Sequence, residues 1–411
     1  MKRRTLYIIL TIIITAMLVC LAFYLAWLWR DRVPDDKLTR PHTMDLPDDL
    51  WPQYRLTVQH DGRAHPNASL DGSLTKIWST IDINEEYYTA SKSSPAVDKD
   101  LIFIGADTGL LYAFWRENGT EAWSFQTRNS KNGIHGAPAF DNEKVYIGAY
   151  DGWLYALYKN NGTLAWESNL GDYIGSSPCL YDGVVYIGVE IKKPGGFLVG
   201  CDVKSGLEVF RSKEFGSHAH STPSIDPNLG YAYIGANDDY VYCYDLKLKE
   251  EVWKFDCGGD VKSTPCIAGD ILYLTSWDDK LHALDLSTGE EYFSFATQKN
   301  SMSSPSINSK GTHVYFGSHD EYIYCISSKG AKEHWKFKTN ERILSSPTLV
   351  EKDNTVVCGS NDGYVYILDA ETGVEIEKID FEIAVTSVPV VVENQLYVFD
   401  DEGILHRFDA L

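Results

Sequence analysis

From about residue 94 to the C-terminus, short apolar runs alternate with polar turns, and the pieces return in the same order. Each unit opens on a proline step, most often Ser-Pro or Thr-Pro, at Pro95, Pro138, Pro178, Pro223, Pro265, Pro305, Pro347 and Pro389, spaced 40 to 45 residues apart. A short apolar run follows, then a strand such as Val145-Tyr146-Ile147-Gly148, a turn carrying Asp, a Tyr-rich strand, an Asn-Gly or Thr-Gly turn, and a last strand with Trp or Phe. Four short strands at this period are the content of one propeller blade.

In the first unit the pattern predicts an inner strand starting at residues 94–96, then strands at 101–105, 110–114 and 121–125. Large residues fall on both faces of the third strand (Leu110, Tyr112 and Phe114 against Leu111), as expected for sheets packed between two neighbours. Asp107, Asp151, Asp238, Asp278, Asp320, Asp362 and Asp401 recur between the second and third strands, often before Gly, which is hairpin turn chemistry and not a ring of metal ligands. The third unit departs from this, with a longer Lys-Lys-Pro-Gly-Gly loop after Glu190. Trp123, Trp166, Phe210, Trp253, Phe293 and Trp335 occupy one position of the fourth strand and are expected to fill the widening gap between blades. Glu377 stands there in unit seven, which weakens that seam.

The eighth unit ends after three strands, and residues 74–79, with Trp78 in the rim position, supply the missing one. The expected fold is therefore all-β, an eight-bladed β-propeller over residues 51–411 closed by an N-terminal strand, so that neither sheet edge is left open.

Residues 6–29 carry no charge, and as a helix they span roughly 36 Å, enough to cross a bilayer. They read as one transmembrane helix, an uncleaved signal anchor. Lys2, Arg3 and Arg4 precede it, whereas Arg30 and Arg32 are interleaved with Asp31, Asp35 and Asp36, which places residues 1–5 in the cytoplasm and the propeller outside it. Residues 30–50, with Pro34, Pro41 and Pro47, read as a polar stalk. The expected location is the cell membrane, single-pass.

The formal charge of −21 argues against nucleic acid as a partner. Of the eight cysteines, Cys243 and Cys325 sit where other units have Ala113, Ala156 and Ala283, and Cys179 and Cys266 follow a proline step; they read as small core residues, with a disulfide at Cys201 or Cys257 left open. No Cys-x-x-Cys pair supports structural zinc.

The repeated Ser94-Pro95-Ala96, Val145-Tyr146-Ile147-Gly148, Asp151-Gly152-Trp153-Leu154-Tyr155-Ala156-Leu157 and Asp369-Ala370-Glu371-Thr372-Gly373 resemble the PQQ-like repeat of the quinoprotein propeller superfamily, over residues 51–411. In size and blade number the chain is similar to the propeller component of the bacterial outer-membrane β-barrel assembly machine, which implies a non-catalytic scaffold, here with a transmembrane helix in place of a lipid anchor. The enzymatic relatives bind pyrroloquinoline quinone and calcium beside a disulfide of adjacent cysteines. No two cysteines here are adjacent, so no cofactor is expected.

Three positions before each proline the units read Lys92, His135, Gly175, His220, Lys262, Met302, Leu344 and Thr386. Five positions before lie His218, Arg342, Tyr173 and Asp260, and the period of an extended chain turns both sets toward the channel mouth. Lys92, His135, His218, His220, Lys262 and Arg342 are the candidate site, a basic arc suited to an anionic ligand or acidic peptide. His218 and His220 could share a metal but lack a third ligand, so no metal is assigned. No catalytic set breaks the repeat, and the expected function is a membrane-anchored, extracytoplasmic protein-binding or assembly scaffold. A ligand sensor is the alternative, and a PQQ-dependent dehydrogenase is disfavoured.

Overall fold

The computed structural model describes residues 49–84, 93–128 and 133–411, together with Met17 and Lys37. The apolar run 6–29 and the stalk fall almost wholly outside these, and among the described residues no helix is long and apolar enough to cross a membrane.

Eight four-stranded antiparallel sheets surround a central channel. Blade 1 consists of Ala96–Val97, Leu101–Gly105, Leu110–Trp115 and Glu121–Gln126, close to the limits the sequence pattern predicts. The last blade runs Leu74–Ser79, Leu405–Ala410, Gln395–Phe399, Val390–Val392, so the N-terminal strand forms its outer edge. Leu74 lies opposite Ala410 and Ser79 opposite His406.

The proline step owes its hydroxyl to the channel wall. Proline has no N–H, and the residue before it donates to the hydroxyl at the same position in the next blade: Ala137 N to Ser177 Oγ (2.9 Å), Thr264 N to Ser304 Oγ (2.9 Å), Ser304 N to Ser346 Oγ (2.9 Å). Val388 N to Ser94 Oγ (2.9 Å) carries this girdle across the closure.

In five blades the glycine ending the second strand admits an apolar residue from the loop that leads to the next blade. A Cβ on Gly148 would lie 2.2 Å from Ile174 Cγ2, and one on Gly317 would lie 2.3 Å from Ile343 Cγ2. Ile174 and Ile343 stand four positions before their prolines, so this button fixes where each loop enters the mouth.

At the rim the indole N–H of Trp123 donates to Lys159 O (2.9 Å), that of Trp166 to Val203 O (3.0 Å) and that of Trp335 to Ala370 O (3.0 Å), each on the next blade. The ring lies on the positive-φ glycine of that blade's turn, where a Cβ on Gly162 would come 2.5 Å from Trp123. Behind most of these aromatics, across the third strand, stands a small residue: Ala113 faces Trp123, Cys243 faces Trp253 and Cys325 faces Trp335, whereas Trp78 of the closing strand faces Arg407. Ile367 faces Glu377 in blade seven, so a larger aliphatic group accompanies the missing ring. The seven described cysteines, Cys201 and Cys257 included, are free and buried.

One end of the channel is closed by a segment whose path the repeat does not predict. Residues 51–63 coil beneath the inner strands with positive φ at Arg55, Leu56 and His60. Their carbonyls accept the inward N–H two residues after successive prolines: Pro52 O from Phe140 (2.8 Å), Val58 O from Ile225 (2.7 Å), Gln59 O from Ile267 (2.9 Å), Asp61 O from Ile307 (3.0 Å) and Gly62 O from Leu349 (2.9 Å). Trp51 exchanges both backbone hydrogen bonds with Val97, and the Gln53 amide oxygen accepts from Leu180 N at 3.0 Å. An innermost strand would otherwise leave these donors bare, and the plug satisfies them with a single stretch of chain. Arg55, 1% exposed, fills its centre and donates to His60 O (3.2 Å), Ser304 O (3.0 Å), Pro305 O (2.6 Å) and Ser306 Oγ (2.9 Å).

Candidate functional site

The opposite end stays open as a cavity of about 240 Å³, floored by Tyr54 of the plug. Its wall is built from the residues one and three positions before the prolines, among them His135, Gly175, His220, Lys262, Met302 and Thr386. His135, His220 and Lys262 are thereby brought to one cavity. Lys92 lies outside the described residues.

The residues five positions before the prolines do not share this wall. Arg342 lines a separate hollow of about 440 Å³ with Asp279, Lys299, Glu321 and Glu341, and His218 lies outside the cavity lining. The reason is the button between the two sets. Ile343 is pinned in the neighbouring blade through its side chain and through its N–H to Ser318 O (3.1 Å), and the chain before it runs over the lip.

The basic arc is charge-compensated from within. Lys262 Nζ sits 3.2 Å from Asp260 Oδ2 and 3.4 Å from the centre of the Trp277 ring, a cation–π contact that holds it against the wall. His220 Nδ1 lies 3.0 Å from Glu190 Oε1. His135 packs on Tyr150 with ring centres 4.3 Å apart. Burial, followed by the nearby Glu190 carboxylate, pushes the Tyr150 hydroxyl well above its usual range, so it stays protonated at neutral pH.

The Asp turns of the same face are structural. Asp151 Oδ1 accepts Trp153 N (3.1 Å) while Oδ2 accepts the Tyr155 hydroxyl (2.7 Å), and Asp238, Asp320 and Asp362 accept Tyr242, Tyr324 and Tyr366 likewise. In blade 5, His282 replaces the tyrosine, with Nε2 3.2 Å from Asp278 Oδ1 and Nδ1 2.7 Å from Glu291 Oε1. Burial lowers its basicity, but the hydrogen bonds to Asp278 and Glu291 outweigh this, and its pKa is raised.

Blade 3 breaks the rule. Its second strand, Val184–Glu190, runs beyond the glycine where other blades turn and pairs with Gly196–Asp202. The extension delivers Glu190 beside His218 and His220, the three ligand atoms lying within 4.8 Å of one another. The third ligand that two histidines lack in sequence is thus supplied by tertiary structure. Its only signal in sequence was the lost Asp turn.

Two family descriptions match the chain. Outer membrane protein assembly factor BamB matches residues 68–295 and 228–335, together well over half of the chain, and a lambda-carrageenase β-propeller domain matches residues 307–384. No curated protein matches it. Among solved structures, BamB from Moraxella catarrhalis superposes with a TM-score of 0.66 at 20% identity, covering 82% of this chain and 98% of that one. Quinohemoprotein alcohol dehydrogenase from Comamonas testosteroni gives a TM-score of 0.71 at 14% identity, over 93% of this chain and 83% of that one. A europium-containing methanol dehydrogenase gives 0.70 at 12%, over 86% and 89%. At these identities the structures show a shared fold alone.

Proposed function

We propose, from the premise that this chain belongs to the family of the outer membrane protein assembly factor BamB, that it is an extracytoplasmic scaffold which binds protein partners and performs no chemistry of its own. The observation that supports this best is the plug. Residues 51–63 occupy one end of the channel, and what remains at the other is about 240 Å³, below the size usual for a pocket that encloses a cofactor or drug-sized ligand. Loops and turns around that mouth offer a broad surface instead. An acidic segment of the partner would meet Lys92, His135, His220 and Lys262 there.

The uncharged run 6–29 supports a single-pass anchor, with residues 1–5 cytoplasmic and the propeller on the far side. Protease added to intact cells or spheroplasts should reach the propeller, and digestion only after lysis would refute that orientation.

Affinity capture of the full chain from detergent-solubilised membranes tests the scaffold. A stoichiometric partner complex that survives washing is expected; recovery of the chain with a bound small molecule and no protein would refute the reading. The enzyme alternative has its own test, since mixing with pyrroloquinoline quinone and calcium should leave the absorbance of the quinone unchanged.

A further inference from the structure

We propose that Glu190, His218 and His220 form a binding site for a divalent transition-metal ion of the zinc class, with its open coordination position directed at the channel cavity. This goes beyond the scaffold reading and stands or falls independently of it.

The donor set comes first. Two imidazole nitrogens and one carboxylate are the mixed N,N,O ligands that suit zinc, cobalt, nickel or ferrous iron, and three protein ligands leave room for a fourth. Glu190 Oε1 lies 3.0 Å from His220 Nδ1, and Glu190 Oε2 lies 3.6 Å from His218 Nδ1. Each separation is near the edge of about 3.3 Å that tetrahedral ligands at zinc–nitrogen distances make, and with one ligand atom taken from each residue the three lie within 4.8 Å of one another.

Polar satisfaction is the second, independent observation. Glu190 is 2% exposed, and its Oε1 is buried without a hydrogen bond. A buried carboxylate oxygen facing imidazole with no aligned donor is costly, and a cation between them removes the cost.

Space is the third. Gly175 stands where other blades carry His135, Lys262 or Met302, and a Cβ there would lie 3.1 Å from His220 Nδ1 and 3.2 Å from Glu190 Oε1. The missing side chain leaves room beside these atoms next to the cavity, whose wall includes both Gly175 and His220. A water, or a carboxylate from whatever enters the mouth, would complete the coordination. The backbone of Glu190 is itself pinned, pairing with Tyr173 through Glu190 N to Tyr173 O at 2.9 Å, so the carboxylate is positioned before any ion arrives.

Titration of the purified full-length chain in detergent with zinc, and with cobalt(II) for its visible absorption, tests the site. One ion per chain and the intense absorption of four-coordinate cobalt are expected. Glu190→Gln combined with His220→Asn should weaken binding about 100-fold or more. Gly175→Val, which keeps all three ligands, should also weaken it by crowding them. Thermal melting followed by circular dichroism shows whether each variant is folded, and Gly175→Val carries the test if the double variant is not. Equal affinity in the wild type and a folded variant, or no stoichiometric ion in the wild type, would overturn the proposal.

Discussion

The two ends of the channel are made from the same eight inner strands and put them to opposite use. At the plugged end, one segment pairs with the inward N–H groups of blade after blade, and the charge at its centre, Arg55, directs its donors to backbone carbonyls and one hydroxyl. At the open end the residues before the prolines differ from blade to blade and face a cavity. Repetition suits a structural end, because identical strands present identical donors. A recognition end needs the opposite, since eight equal residues could specify only a ligand of matching symmetry.

The contrast is broken most severely by deleting Leu74–Ser79. The strand is the outer edge of the last blade, so its loss opens a sheet edge. Aggregation or failure to fold is expected by size exclusion and circular dichroism; a monomeric deletion protein of unchanged heat stability would refute the closure.

Next comes Arg55→Leu. It strands three buried carbonyls, while the Ser306 hydroxyl keeps its bond to Pro347 O, and should cost about 3 kcal/mol in denaturant unfolding. A loss below about 1 kcal/mol would show that water enters the plug.

Blade 5 sharpens the comparison on the mouth face. A histidine whose folded pKa is raised contributes stability that is complete below its unfolded value of about 6.5 and is lost as pH rises through the folded pKa. His282→Gln should therefore be destabilising near pH 6, and the gap from wild type should narrow as pH rises through the raised folded pKa. A gap independent of pH would place the proton elsewhere.

The smallest effect on stability is expected at the mouth itself. Replacing Lys92, His135, His220 and Lys262 together should alter unfolding by no more than about 1 kcal/mol yet weaken binding of an acidic peptide measured by fluorescence anisotropy. Unchanged peptide binding would defeat the arc as a recognition surface.

Much of the fold was legible because its causes are local or periodic. The proline steps count the blades, the Asp turns mark hairpins, and a fourth strand missing at one end and present at the other implies closure. Cys243 and Cys325 could be read as small core residues from position alone, and the rings of Trp253 and Trp335 opposite them show why. The candidate site was legible in part. The described residues three before the prolines do line one cavity, but Arg342 was drawn in by a period-two argument that fails where Ile343 is buttoned into the preceding blade.

By itself, then, the sequence determined the number of blades, their closure and the ring of variable positions at the mouth, since each depends on residues a fixed number of places apart. Only the tertiary structure decided that residues 51–63 close the channel, and that Glu190 meets His218 and His220. The plug segment has no period, its backbone pairs with strands far along the chain, and backbone hydrogen bonds leave no mark on residue identity. The Glu190 cluster joins a strand extension in blade 3 to the loop entering blade 4, a meeting set by how two neighbouring blades pack.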